Sequence, residues 1–139
     1  MLKTYDNKLV RVSFLNRDIA EGRTEQGFYA STRNKPDYEF TGNAEGGGTR
    51  SALSDKSATV KIKCMRTSDT HKLLVQLAAL PSESNVGPLE ARDINGGLVE
   101  RAARAWISKP ADTEYSATVG EAEWELTTDE LVRGVEAAA

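Results

Sequence analysis

Two segments of this chain alternate apolar and polar residues without a break. Ser57-Ala-Thr-Val-Lys-Ile-Lys-Cys64 puts Ala58, Val60, Ile62 and Cys64 on one side and Ser57, Thr59, Lys61 and Lys63 on the other. Glu121-Ala-Glu-Trp-Glu-Leu-Thr127 sets Ala122, Trp124 and Leu126 opposite a row of glutamates, Glu121, Glu123 and Glu125. Successive side chains of a strand point to opposite faces, so each segment reads as a strand with one face on a core and the other toward water or a polar partner. A sheet of such strands ends in edges whose backbone groups are unpaired and must be capped, charged or joined to another copy. The fate of those edges constrains this chain more than any catalytic motif does.

The rest of the sequence supplies the other elements of a mainly β fold. Leu9-Val-Arg-Val-Ser-Phe14, Gly27-Phe-Tyr-Ala-Ser31 and Tyr38-Glu-Phe-Thr41 read as strands, the last two separated by a turn at Asn34-Lys-Pro-Asp37. From Gly42 to Asp55 periodicity vanishes and three glycines run together, so a long mobile loop without structure is expected over 42–55. Ser68 to Leu80, closed by Pro81, carries Leu73, Leu74, Leu77 and Leu80 at helical spacing, with Ser68 or Asp69 able to cap its start. These four leucines are the expected core face of one helix laid on a sheet. Asn95-Gly96 is a hairpin signal. Leu98 to Ile107 is read as a strand despite its Ala, Glu and Arg content, because a hairpin precedes it and Pro110 follows. Thr113–Val119 and Glu121–Thr127 are expected to form a final hairpin, and Leu131–Val135 a last short strand in a C-terminal tail spanning 128–139. The expected fold is a β-barrel or β-sandwich of packed antiparallel sheets with one flanking α-helix, in a single domain over residues 1–139.

Composition and site inventory exclude most chemistries. No apolar run approaches the ~20 residues needed to cross a bilayer, so no membrane association is expected. The first residues lack the apolar stretch of a secretory signal, which points to folding in a cytosol. A formal net charge of −3 is poorly suited to gripping phosphates. Cys64 is the only cysteine, so an internal disulfide and a multi-thiolate zinc site are both excluded. It falls on the apolar face of its strand, where a thiol is inert, while His71 is expected on the exposed face of the helix, so the two do not form a nucleophile–base pair. Glu45-Gly-Gly-Gly-Thr-Arg50 matches neither a P-loop nor a dinucleotide turn. Glu121, Glu123 and Glu125 have no histidine or further clustered acids beside them to complete a metal or glycosidase site. No catalytic residue, cofactor or metal is therefore expected, and the chain does not read as an enzyme.

One resemblance covers nearly the whole chain. Tyr5-Asp-Asn-Lys-Leu-Val-Arg-Val-Ser-Phe14 is followed by the glycine-rich loop, the alternating strand and a leucine helix entered through Thr67-Ser-Asp69. Asp93-Ile-Asn-Gly-Gly97, Ala103-Arg-Ala-Trp-Ile-Ser-Lys-Pro110 and Glu123-Trp-Glu-Leu-Thr127 come next. In order and spacing this resembles the tail tube proteins of bacteriophages, in particular the small single-domain type of contractile-tailed phages. The resemblance implies a structural virion protein, assembled in the host cytoplasm, that closes into hexameric rings. The rings stack into a hollow tube through which DNA passes without specific binding. It also implies partners in the tail sheath, tape measure, baseplate hub and tail terminator proteins. On that reading the ring-stacking loop is carried by Gly42, Asn43, Glu45, Gly46, Gly47, Gly48 and Arg50. Glu100, Glu121, Glu123 and Glu125 are candidate lumen-facing acids, since a lining without excess lysine lets a polyanion slip past. Lys61 and Lys63 are not assigned a place by the sequence, pairing with acids of an adjacent subunit being one option. A secretion-system or bacteriocin tube protein of the same fold is the alternative, and a monomeric β binding module using the glycine loop is the reading from another class.

Overall fold

The computed structural model describes residues 2–19, 22–24 and 27–135. The strands are β1 (Val10–Phe14), β2 (Arg17–Asp18), β3 (Tyr29–Arg33), β4 (Tyr38–Gly42), β5 (Gly48–Ala52) and β6 (Ala58–Met65). After the helix α1 (Asp69–Ala78) come β7 (Gly87–Asp93), β8 (Leu98–Lys109), β9 (Glu121–Thr128) and β10 (Val132–Val135). An eight-stranded sheet runs β2-β1-β7-β8-β9-β6-β3, with β10 paired to β8, while β4 and β5 form a separate hairpin. Every pair of these strands is antiparallel.

The alternation read from the sequence builds one continuous apolar face. Val60 sits opposite Leu126, Ile62 opposite Trp124 and Cys64 opposite Ala122 across β6 and β9. Val12 faces Ala91 and Phe14 faces Leu89 across β1 and β7, and Leu89 faces Ala102 on β8. All of these are buried, and Leu74 and Leu77 of α1 close over the same core. Ser31 on the edge strand β3 donates to both carboxylate oxygens of Glu100 on β8, at 2.7 and 3.0 Å, although β9 and β6 lie between them in the sheet. The sheet therefore curls on itself, as a barrel-like sandwich does.

Strands β9 and β10 are one strand in one register. Ala105 pairs with Thr128 and Arg101 with Val132, so the step of four residues is the same on both sides. The interruption at residues 129–131 turns Leu131 into the core, with its N–H bonded to the Lys56 carbonyl at 3.2 Å. The buried Thr128 hydroxyl closes the kink, donating to the Glu130 carbonyl and accepting from the Glu130 N–H. Thr128 and Val132–Val135 of the expected tail are thus strand residues of the sheet, and residues 136–139 lie outside the described residues.

Several expectations are corrected. Residues 42–55 are not structureless: Tyr38–Gly42 and Gly48–Ala52 pair as a hairpin in register from Tyr38–Ala52 to Gly42–Gly48. Residues 113–119 form no strand. The reason is topological, because β9 already has β6 on one side and β8 on the other and offers no free edge for a further hairpin partner. Leu80 does not belong to the core face: it lies beyond the helix end and is 37% exposed, whereas Leu74 and Leu77 are buried and Leu73 packs half-buried. Asn95-Gly96 does sit in the β7–β8 turn, with Gly97 at φ +72 and the Asp93 carboxylate accepting from the Asn95 N–H at 3.0 Å. Leu98–Lys109 is the longest strand of the sheet, its buried Val99, Ala102 and Ala105 outweighing the helical leaning of its composition.

Candidate functional site: a free arm and open edges

The β4–β5 hairpin is an arm whose ten strand residues are all exposed. Its two faces differ. Tyr38, Phe40 and Gly42 share one face with Ala52, Arg50 and Gly48, while Glu39 and Thr41 share the other with Ser51 and Thr49. The first face holds itself together by stacking. The Arg50 guanidinium lies 4.2 Å from the centre of the Tyr38 ring, a cation–π geometry. The Phe40 ring covers Gly48 so closely that a Cβ there would stand 2.4 Å from it. Phe40 is nevertheless 72% exposed.

Glycines that suggest a loose loop instead serve a tight turn. The Asn43 side-chain oxygen accepts from the backbone N–H of Glu45 at 3.1 Å and of Gly47 at 2.9 Å. Its own N–H bonds the Gly47 carbonyl at 2.8 Å, and Gly46 takes φ +94, a conformation that suits glycine. The residues expected to stack rings, Gly42, Asn43, Glu45, Gly46, Gly47, Gly48 and Arg50, all fall on this arm. Tyr38 and Phe40, its aromatic residues, are not among them. Their signal is in the sequence, since a strand at Tyr38–Thr41 followed by Asn and Gly is a hairpin opening.

Open backbone edges flank the sheet. The Phe28 carbonyl accepts from Lys63 at 2.9 Å and the Asn34 N–H donates to Ser57 at 3.1 Å, so alternation turns the main-chain groups of Tyr29, Ser31 and Arg33 away from β6. Among the described residues β3 pairs with no strand but β6, and β10 with none but β8. Val132 and Val135 on β10 are exposed, as is Leu98 opposite Val135.

The four candidate acids do not share a wall. Glu121, Glu123 and Glu125 line the outer face of β9, opposite Met65, Lys63 and Lys61 of β6. Lys109 of β8 faces Glu125 from the other side. Lys61 and Lys63 find their acid within the chain, at 3.6 and 3.9 Å from Glu123. This face is therefore charge-balanced and not a negative wall. Glu100 lies on the opposite face of the sheet, level with buried Ala91, its side chain only 18% exposed. There it accepts from Ser31 and meets the Arg133 guanidinium of β10 at 3.5 Å. Beside them is a cleft of about 180 Å³ lined in part by Val10, Tyr29, Leu98, Glu100 and Arg133. Tyr29 reaches into this layer, and burial followed by the Glu100 charge makes its hydroxyl far less acidic than usual.

His71 corrects another expectation. It is half-buried, with its ring tilted 58° against Trp124 at 5.6 Å, and Trp124 Nε1–H donates to His71 Nδ1 at 3.2 Å. Burial, with a contribution from Arg66, holds its pKa below the usual histidine range. Cys64 is buried, and burial pushes its thiol pKa up, as expected for an inert core thiol. Among the described residues no His, Cys, Asp and Glu side chains cluster as a metal site, and no helix is long and apolar enough to cross a membrane.

The arm is thus exposed on both strands, and among the described residues the outer edges of β3 and β10 carry no partner strand. The fold itself has counterparts. It is the fold of chains in contractile injection particles. A chain in the extended-state sheath/tube terminator of the extracellular contractile injection system PVC superposes with a TM-score of 0.64 at 9% identity. That match covers 96% of this chain and 99% of the other. A chain in the PVC sheath–tube complex gives 0.60 at 11% identity, covering 95% and 92%. A chain in the tube-terminating cap of the anti-feeding prophage gives 0.59 at 6% identity, covering 97% and 93%. No family model matches the chain, and no curated protein matches it in sequence.

Proposed function

We propose that this protein is a structural subunit of a contractile tail or injection particle. Copies close edge to edge into hexameric rings, and the rings stack into a tube through their arms. The observation that carries the reading is the arm: a two-stranded hairpin is marginal in water, and this one leaves an aromatic face uncovered. A neighbouring copy is the natural source of the missing cover. Ring closure is supported by the open edges of β3 and β10, because a head-to-tail contact whose rotation closes uses up both. The fold likeness to chains in sheath–tube and tube-terminating assemblies supports the same setting. Sheath, tape measure, baseplate hub and terminator proteins are the expected partners. The balanced outer face of β6 and β9 suits a lumen that a polyanion such as DNA traverses without sticking.

A tube-ending cap subunit is the second reading, favoured by the likeness to chains in a terminator and a cap. Negative-stain electron microscopy of the concentrated protein distinguishes the two. Hollow rods of stacked rings are expected for the tube subunit, and loss of rods with rings retained when residues 39–51 are replaced by a short glycine linker. Single rings that never stack, with the arm intact, make the protein a cap. A chain that stays monomeric both alone and with a preformed tube overturns both readings.

A further inference from the structure

The arm joins the body through two short connectors, residues 34–36 and 54–55, each pinned at its body end. Asn34 donates through its side-chain amide to the Ser57 hydroxyl and accepts from Thr59, both at 3.0 Å. Asp55 accepts from the Ser57 N–H at 2.9 Å. Arg33 is the last residue of β3, paired with Ala58, and the Lys56 carbonyl accepts from the Leu131 N–H, on the side of β6 away from β3. Asp37 stands on the arm side of both connectors. Its carbonyl accepts from the Leu53 N–H at 2.9 Å, which closes the base of the hairpin.

One carboxylate oxygen of Asp37 then reaches back to both anchors: Arg33 Nη2 at 2.8 Å and Lys56 Nζ at 3.1 Å. We infer that Asp37 is the positioning residue of the arm, an ionic clamp that ties its base to both roots and fixes its angle to the body before any partner arrives. Either cation alone would leave the arm free to swing about the other connector. Two cations on one oxygen, one from the root of each connector, restrict that freedom. The Asp37 carboxyl is held below the ordinary range, first by the hydrogen bond and charge of Lys56 and then by Arg33, as a carboxylate serving both must be. Exposed ion pairs add little to global stability, so the clamp sets direction and not folding. Its value for assembly rests on the tube reading: an arm already aimed loses less freedom on docking.

The test reads the arm's angle in the monomer, apart from assembly. Spin labels are placed on Glu45→Cys at the arm tip and Lys72→Cys on α1, in a Cys64→Ala background, and their distance distribution is measured by pulsed electron resonance at low protein concentration. Asp37→Ala is expected to at least double the width of the distribution while the thermal midpoint of the body stays put. High salt is expected to broaden the unmodified protein in the same direction. Combining Asp37→Arg with Arg33→Glu and Lys56→Glu is expected to restore the narrow distribution. An unchanged width in Asp37→Ala overturns the clamp. So does a charge-reversed triple variant that stays broad while its body melts normally. Failure of the unmodified protein to form rods would strike the tube reading and leave this result standing.

Discussion

His71 offers the sharpest test of how the helix is held to the sheet. Trp124 is 2% exposed, and its indole N–H has His71 Nδ1 as acceptor at 3.2 Å. Replacing His71 with Phe keeps a ring against Trp124, so the aromatic contact survives, but strips the acceptor. A buried donor left unpaired costs about 1–3 kcal/mol. For a domain of this size that lowers the melting temperature by roughly 3–9 °C. His71→Gln supplies an acceptor that does not titrate and is expected to recover part of the loss.

The same bond carries a sign for pH. The acceptor nitrogen must be unprotonated, and burial with Arg66 lowers the folded-state pKa of His71. In the unfolded chain the imidazole takes its proton near the usual value of about 6.5. Stability is therefore complete above that value, falls as the pH drops below it, and levels once the folded imidazole is itself protonated. His71 is the chain's one histidine, so few other groups titrate in the window. Urea unfolding of the three proteins between about pH 5 and 8 should show a decline for the unmodified chain and flatter curves for His71→Phe and His71→Gln. A His71→Phe protein within about 0.5 kcal/mol of the original would refute the reasoning. So would an original and a Gln variant with superimposable pH curves.

Other substitutions separate core from surface and arm from body. Leu126→Ala, at a fully buried position facing Val60, is expected to cost about 2–5 kcal/mol in denaturant unfolding. Leu80→Ala should change stability by no more than about 0.5 kcal/mol, because Leu80 lies outside the helix and the core. Gly48→Val would drive a side chain against the Phe40 ring and the Thr41 carbonyl, since both lie within 2.6 Å of the point a Cβ on residue 48 would occupy. Arm amides should then lose hydrogen-exchange protection while the body's melting temperature is unchanged. The Cys64 thiol should react with an aromatic disulfide reagent only as fast as the protein unfolds, and faster labelling in the native state would mean the β6–α1 contact opens locally.

The sheet is legible in the sequence because its pattern is local. Alternation in β6 and β9 declares which residues face inward, and those faces are the ones buried. Leu74 and Leu77 are legible for the same reason at helical period. What sequence does not show is partner choice. Thr113–Val119 has a strand-like composition, and only the topology reveals that β9's edges are both taken. Glu100 looks like the other glutamates, but the β7–β8 register shifts between the Gly87–Ala105 and Leu89–Ala102 pairs, which turns Glu100 with Ala102 to the inner face, where the Ser31 hydroxyl meets it. The glycine run reads as absence of structure only while side-chain packing is the one source of order considered. Backbone bonds to Asn43 and the Phe40 ring over Gly48 supply that order instead.

The arm poses the remaining physical question, which is why a chain keeps a hairpin that contributes nothing to its own core. Left free, its ordering entropy would outweigh a handful of cross-strand bonds. Four local devices oppose that entropy: Asn43 at the tip, Phe40 over Gly48, Arg50 over Tyr38, and Asp37 between Arg33 and Lys56 at the root. All four shape and aim the arm, and none buries its aromatic face. Local order without burial is a costly arrangement for an isolated monomer and a favourable one for a subunit whose partner completes the layer. On that argument, docking should protect the amides of residues 38–52 from exchange more than any other part of the chain. Body strands already paired on both sides should change least, and the free edges of β3 and β10 should fall between.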